Sequence, residues 1–443
     1  DSHIDLGDGH DTLILADGDN SISIYNVETV IGFSGSDTIG LATSVSDFTI
    51  DLGAGIDYLY LVSGINTITS TNVDYIYGFN TTLTFNNAQN GTTIDLFDGN
   101  STLILNGIGN TVTVANTETI FGGTGDDVVT LATALSNGTV DLGAGNDVLN
   151  LAAGTNNLSA TNIEIIYGTA SDDTLTITNA LAAGATIDLQ GGNDTLILNG
   201  VGNTVIVSNV ETITGSTGDD VVTLGSSLTG GTIDLGAGND TLTIVGTSSL
   251  SAINIETIMG TSSDDTLTLD NAQSGTVINL GAGSDTLILN GVGNTITVAN
   301  IETITGSTGD DVVTLASTVS GMTVNLGAGN DVLNLAAGTN SLSATNIEII
   351  YGTISDDTLT ITNALAAGTT IDLQGGNDTL ILNGVGNTVT VANIETITGG
   401  TGNDVITLAS TVSGMTINLG AGNDILNLSA GTNSLSATNI ETI

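Results

Sequence analysis

A short string returns along the whole chain and limits what it can become. It reads Gly-x-Gly-x-Asp followed by alternating aliphatic residues, as in GAGNDTLTI at 236–244, with relatives GTGDDVVTL at 123–131 and GTSSDDTLTL at 260–269. The last Asp of each copy serves as a ruler: Asp11, Asp37, Asp57, Asp127, Asp147, Asp173, Asp194, Asp220, Asp240, Asp265, Asp285, Asp311, Asp331, Asp357, Asp378, Asp404 and Asp424. Its steps alternate between about 20 and about 26 residues and average about 23, a period of solenoid repeats rather than of a globular domain. Thr81 and Ser101 stand where two further acids would fall, so the series predicts about 19 coils. A larger duplication is superimposed, pairing residues 141–198 with 325–382: DLGAGNDVLNLAAG from Asp141 returns as NLGAGNDVLNLAAG from Asn325.

Between the turns the residues read as short strands. TLIL at 286–289 and TITV at 295–298 alternate Thr with aliphatic residues, and Gly-Val-Gly-Asn at 291–294 separates them. One repeat then holds strand, turn, strand, turn, and the expected fold is an all-β parallel β-solenoid, continuous over residues 1–443. Every second strand position points Val, Ile or Leu inward to fill a narrow core. The absence of Pro agrees, because each strand must donate its N–H groups to the next coil. The longer steps carry Glu118, Glu164, Glu211, Glu256, Glu302, Glu348, Glu395 and Glu441, which read either as a widened return strand or simply as a solvated acidic row.

Charge narrows the function. The 443 residues include no Lys, Arg, Cys or Trp, and 47 acids give a formal net charge of -47. Nucleic-acid binding needs cations to displace counterions from phosphate, and there are none to supply. Anionic membrane surfaces repel such a chain, and no apolar run is long enough to insert. Phosphoryl transfer would lack its usual cationic side chains. With 40% hydrophobic and only 11% charged residues, the chain has enough apolar surface to fold.

The Asp ruler carries the chemistry. Carboxylates stacked at about 5 Å repel by roughly 3 to 4 kcal/mol per pair at an effective dielectric of 20, and no side-chain cation can neutralise them. A divalent cation can. Carboxylates and turn carbonyls are hard oxygen ligands suited to Ca²⁺, so all seventeen ruler residues are candidate metal ligands, with ions in a row between successive turns. GGTGNDVIT at 399–407 and GGTGDDVVT at 122–130 resemble the nine-residue G-G-x-G-x-D-x-U-x pattern of calcium-binding repeats-in-toxin (RTX) β-rolls, and LGAGNDTLT at 235–243 resembles it with the first Gly replaced. That resemblance implies a parallel β-roll holding Ca²⁺ between turns, in secreted bacterial proteins that often fold only on meeting extracellular calcium. The family array runs its nonapeptides in tandem with calcium on both edges. Here one turn recurs per 20 to 26 residues, so calcium is expected along one edge only. Around Gly78 to Ser101 the motif decays, with Asp98 a candidate substitute ligand.

These features predict a non-catalytic, extracellular or cell-surface structural segment: a filament, surface layer, matrix fibre or adhesin stalk. Either the chain is part of a longer one, or copies associate end to end or side by side through raw sheet edges. An ice- or carbohydrate-binding adhesin segment remains open, since Thr faces outward in TLTI at 241–244 and TLTL at 266–269. Against it, Ile288 and Asn334 break the rank, and Tyr and Phe are few. A polysaccharide-modifying β-helix enzyme is the third reading; carboxylate pairs exist for it, but His3 and His10 are the only histidines and no Lys or Arg stands beside them.

Overall fold

The computed structural model describes residues 2–443 apart from 98, 108, 201, 383 and 385, so Asp98 lies outside the described residues. It divides into two compact units, Asp1–Gly225 with Leu235–Gly238, and Ser226–Asp234 with Asn239–Ile443. Each unit is a parallel β-solenoid, and among the described residues every regular element is a strand. Successive strands alternate between two sheets.

In the first unit Thr12–Ile14 pairs with Thr29–Ile31 and that strand with Phe48–Asp51, all parallel, while Ser2–Asp5, Ser21–Tyr25 and Thr38–Leu41 build the facing sheet. In the second unit Thr266–Leu269, Thr286–Leu289 and Thr303–Thr305 stack in one sheet, and Thr295–Ala299, Val312–Leu315 and Val332–Asn334 in the other. The strands at 286–289 and 295–299 are the pair expected from TLIL and TITV.

Register stacks like on like. Leu267, Leu287, Ile304 and Val324 follow one another inside the second unit with no exposed surface. Each such side chain contributes about 1.5–3 kcal/mol on burial. Outside, Thr266, Thr286, Thr303 and Thr323 form a column whose β-branched contacts add about 0.2–1 kcal/mol per pair. Ile288 interrupts only the next column, between Thr268 and Thr305, and Asn334 belongs to the other sheet, opposite Thr314.

The coils are shorter and more numerous than the sequence ruler suggests, about 22 in place of about 19. Equivalent edge positions in neighbouring coils lie between 16 and 22 residues apart, not 20 and 26. The reason lies in the ruler. A step of 20, such as Asp127 to Asp147, is one coil. The following step to Asp173 comprises a coil of 17, ending at Glu164, and then half a coil more. Coils of unequal length still stack because the surplus leaves at loops and bulges, such as that between Ser320 and Met322.

Candidate metal centre

The half-coil step distributes the acids over both edges of each solenoid, which corrects the expectation of a single edge. In the first unit Asp37, Asp57, Asp127, Asp147 and Asp220 precede strands of one sheet, and Asp11, Asp173 and Asp194 precede strands of the other. In the second unit Asp240, Asp311, Asp331, Asp404 and Asp424 lie on one edge and Asp265, Asp285, Asp357 and Asp378 on the opposite one. All the ruler acids from Asp37 onward are buried, with at most 1% of their surface exposed.

They form short ladders in which each backbone N–H donates to the carboxylate one coil further on. Asp127 N–H donates to Asp147 Oδ1 at 2.8 Å, and Asp147 N–H to Glu164 Oε2 at 2.8 Å. On the opposite edge Asp173 N–H reaches Asp194 Oδ1 at 2.7 Å, and Asp194 N–H reaches Glu211 Oε2 at 2.8 Å. The same Asp-Asp-Glu triplet recurs at 265-285-302, 311-331-348, 357-378-395 and 404-424-441. Asp37, Asp57 and Asp74 form a variant with Asp third; Asp11 donates to Glu28, and Asp240 to Glu256. Thus the Glu row is no widened return strand. Each of these Glu residues receives the N–H of the acid, or of Ser101, one coil earlier.

The two aspartates of a triplet differ. In the first, Oδ1 is held from the coil before and Oδ2 from four residues back in its own turn. Asp127 accepts Asn110 N–H and Nδ2 at 2.8 and 2.7 Å and Gly123 N–H at 2.9 Å. Asp173 accepts Gly154 N–H at 2.8 Å and both the N–H and the hydroxyl of Thr169 at 2.7 and 2.9 Å. In the second aspartate Oδ2 is buried with no hydrogen-bond partner: Asp11, Asp57, Asp147, Asp194, Asp285, Asp331, Asp378 and Asp424, together with Asp37 among the first-place residues. Leaving a buried acceptor unsatisfied costs about 1–3 kcal/mol, more for a charge.

Electrostatics mark the same residues. Burial pushes the Asp147 and Asp331 carboxyls up to about 6, aided by the carboxylates of Asp127 and Glu164 and of Asp311 and Glu348, against the opposing backbone hydrogen bond. Burial also raises Asp57, Asp194, Asp285 and Asp378 above the ordinary carboxylate range. Each charge is desolvated and repelled by its neighbours along the ladder.

Two further residue groups escaped the sequence reading. Asn110, Asn203, Asn294 and Asn387 head the ladders of one edge, each giving its backbone N–H and Nδ2 to the first aspartate. The strings GIGNT at 107–111 and GVGNT at 200–204, 291–295 and 384–388 were their signal. Beside the ladders, the exposed Asp126, Asp172, Asp264, Asp310 and Asp356 each accept a backbone N–H from the next coil. His3 and His10 are exposed, His10 directly before the ladder residue Asp11.

Among the described residues no three or more acidic, His or Cys side chains converge on one point. A cation here must therefore complete its shell from turn carbonyls, and the glycines make room for them. At Gly329 an added Cβ would lie 2.5 Å from Gly309 O and 2.9 Å from Asp331 Oδ1; at Gly376 it would lie 2.6 Å from Ser355 O and 2.8 Å from Asp378 Oδ1. Carboxylate and carbonyl oxygens thus face the same space two residues before a second-place aspartate. The carbonyl lies on the Oδ1 side, where Oδ1 also accepts the N–H of the preceding coil; the same carboxylate's buried Oδ2 without a hydrogen-bond partner, and the lack of any Lys or Arg to pair with it, fit Ca²⁺, which takes six to eight oxygen ligands in flexible geometry.

Comparison with known families agrees. A family model described as the RTX calcium-binding nonapeptide repeat (4 copies) matches residues 114–131, 137–158, 208–227, 323–343, 391–408 and 416–435. These segments contain Asp127, Asp147, Asp220, Asp331, Asp404 and Asp424. No curated protein matches the chain. RTX nonapeptide repeats bind calcium, several ions along a solenoid, and the chain carries such repeats in the matched segments.

Proposed function

We propose that the chain is an extracellular, non-catalytic structural segment whose coils are locked by calcium, the ions held chiefly at the second aspartate of each triplet. One observation carries this reading: buried Oδ2 atoms without a hydrogen-bond partner recur in register on a chain that has no Lys or Arg. Asp147, Asp194, Asp285, Asp331, Asp378 and Asp424 would each offer Oδ2 to the ion, with turn carbonyls as further ligands. Bound calcium supplies positive charge and binds the native coils alone, so it adds to stability by mass action. The residues themselves hold the turn: first aspartates tie it to the preceding coil, and second aspartates keep one oxygen available.

An open calcium-stiffened surface of repeated hydroxyl and acidic groups suits a filament, surface layer, matrix or adhesin stalk outside the cell, where calcium is millimolar. Among the described residues no helix is long and apolar enough to cross a membrane. Ice binding has less support, because each continuous outer Thr column of the second unit, Thr266-Thr286-Thr303-Thr323 and Thr358-Thr379-Thr396-Thr416, stands beside a column broken by Ile288 or Ile381. The test is calorimetric titration of the chelated full chain with Ca²⁺, alongside the variant Asp285→Ser, Asp378→Ser. Fewer ions bound by the variant support the assignment; an unchanged ion count refutes it.

A further inference from the structure

The first unit carries a ladder of aromatic rings on the outer face of one sheet. Tyr60 and Tyr77 stack with centroids 5.2 Å apart, Tyr77 and Phe97 at 5.7 Å, and beside them Tyr58 and Tyr75 at 5.1 Å with planes 14° apart. Rings packed in this way close one another's faces, so the middle of the ladder offers only edges. Its open face is at the end. Ser23, Gly40, Tyr60 and Tyr77 occupy successive coils in register, and Gly40 places no side chain against Tyr60, which is 44% exposed.

Nothing local demands glycine there. Gly40 lies inside the strand Thr38–Leu41 and is absent from the positive-φ residues. An added Cβ would make only ordinary contact, 3.5 Å from Ser23 Oγ. Other strand glycines have a reason: a Cβ on Gly123 would meet the backbone carbonyl Gly107 O at 2.8 Å, and Gly91 has φ of +82°. A strand-interior glycine without such a reason marks a place where something else approaches the backbone.

We propose that the notch over Gly40, between the ring of Tyr60 and the hydroxyl of Ser23, binds a neutral pyranose ring of a glycan. A sugar's apolar face continues the aromatic stack where a side chain is missing, and its hydroxyls meet those of Ser23 and Thr38, one on the facing coil and the other two residues along. Charge selects the class. With -47 on the chain and no cation, anionic ligands are repelled. A second copy of the chain would bring like charge and leave both hydroxyls unused. This inference stands apart from the calcium reading.

The full chain in calcium-containing buffer, which has tyrosine but no tryptophan fluorescence, is titrated with cellohexaose and with maltohexaose. A saturable change with one hexaose, weakened about tenfold or more in both Gly40→Tyr and Gly40→Thr with unchanged circular dichroism, supports the notch. Tyr60→Leu supplies the same test from the other wall if either glycine variant misfolds. The proposal fails if neither hexaose gives a saturable change, if all folded variants bind as the unmodified chain does, or if the signal follows protein concentration instead of sugar.

Discussion

Two stretches of one edge of the first unit hold the same ladder with different chemistry. At 173-194-211 the rungs are Asp, Asp and Glu; at 81-101-118 they are Thr, Ser and Glu. Both are buried and both are bonded: Thr81 N–H donates to Ser101 Oγ at 3.3 Å and Ser101 N–H to Glu118 Oε2 at 2.8 Å, matching the aspartate ladder link for link. Hydroxyls therefore suffice to join the coils. The second valence differs. Ser101 Oγ also donates to Leu96 O at 3.3 Å, whereas Asp194 Oδ2 has no partner. Joining coils thus does not require two buried carboxylates, and it is their charge that the proposed calcium ions answer.

The largest effect that would break this contrast is calcium removal. At a hundredfold excess over Kd each site adds about 2.7 kcal/mol, so several sites rival the ~5–15 kcal/mol of an ordinary domain. Excess chelator is expected to abolish the cooperative thermal transition seen by circular dichroism. At intermediate calcium, hydrogen exchange should rise first at the Asp173 and Asp265 amides and last at Thr81. Equal loss at all three amides would erase the distinction.

A smaller effect comes from exchanging the rungs. Asp173→Thr with Asp194→Ser should raise stability in chelator by about 1–3 kcal/mol and lower it in calcium, as read from urea midpoints. The reverse pair, Thr81→Asp with Ser101→Asp, should do the opposite in both conditions.

pH sharpens the same point. Asp57, Asp147, Asp194, Asp285, Asp331 and Asp378 titrate higher in the folded chain than unfolded, with Asp147 and Asp331 at about 6. The native state then holds more protons, so in chelator stability is greatest below the unfolded value near 4 and is lost as pH rises through about 6. A urea midpoint rising from pH 4 to pH 7 would contradict this. The smallest effect is Glu118→Gln, expected within about 0.5 kcal/mol because its partner Ser101 is neutral. Glu211→Gln, beside Asp194, should weaken calcium binding severalfold in the same titration.

Much of this was legible in the residues. Alternation in TLIL and TITV is enough to place Leu287 and Ile296 inside, because strand geometry leaves one choice of face. The Asp positions were legible as turns, and Thr81 and Ser101 as their replacements. The edges were not. A ruler step of about 26 looks like one long coil, and only the 17-residue spacing from Asp147 to Glu164 reveals a coil plus half of another. Nor could sequence separate Asp127 from Asp147, since that difference rests on whether an N–H four residues back points at Oδ2.

The half-coil offset also governs how such a chain can lengthen in evolution. From Asp127 to Asp173 the repeat advances two and a half coils and restarts on the opposite edge, so every duplication of that segment exchanges the roles of the two sheets for all that follows. Growth by this increment is tolerated only if either sheet accepts either sequence. Val129 in one sheet and Leu175 in the other, both fully buried at equivalent module positions, show how little the interior discriminates. Unequal recombination can therefore add or delete modules without a matching change elsewhere, leaving chain length open to selection.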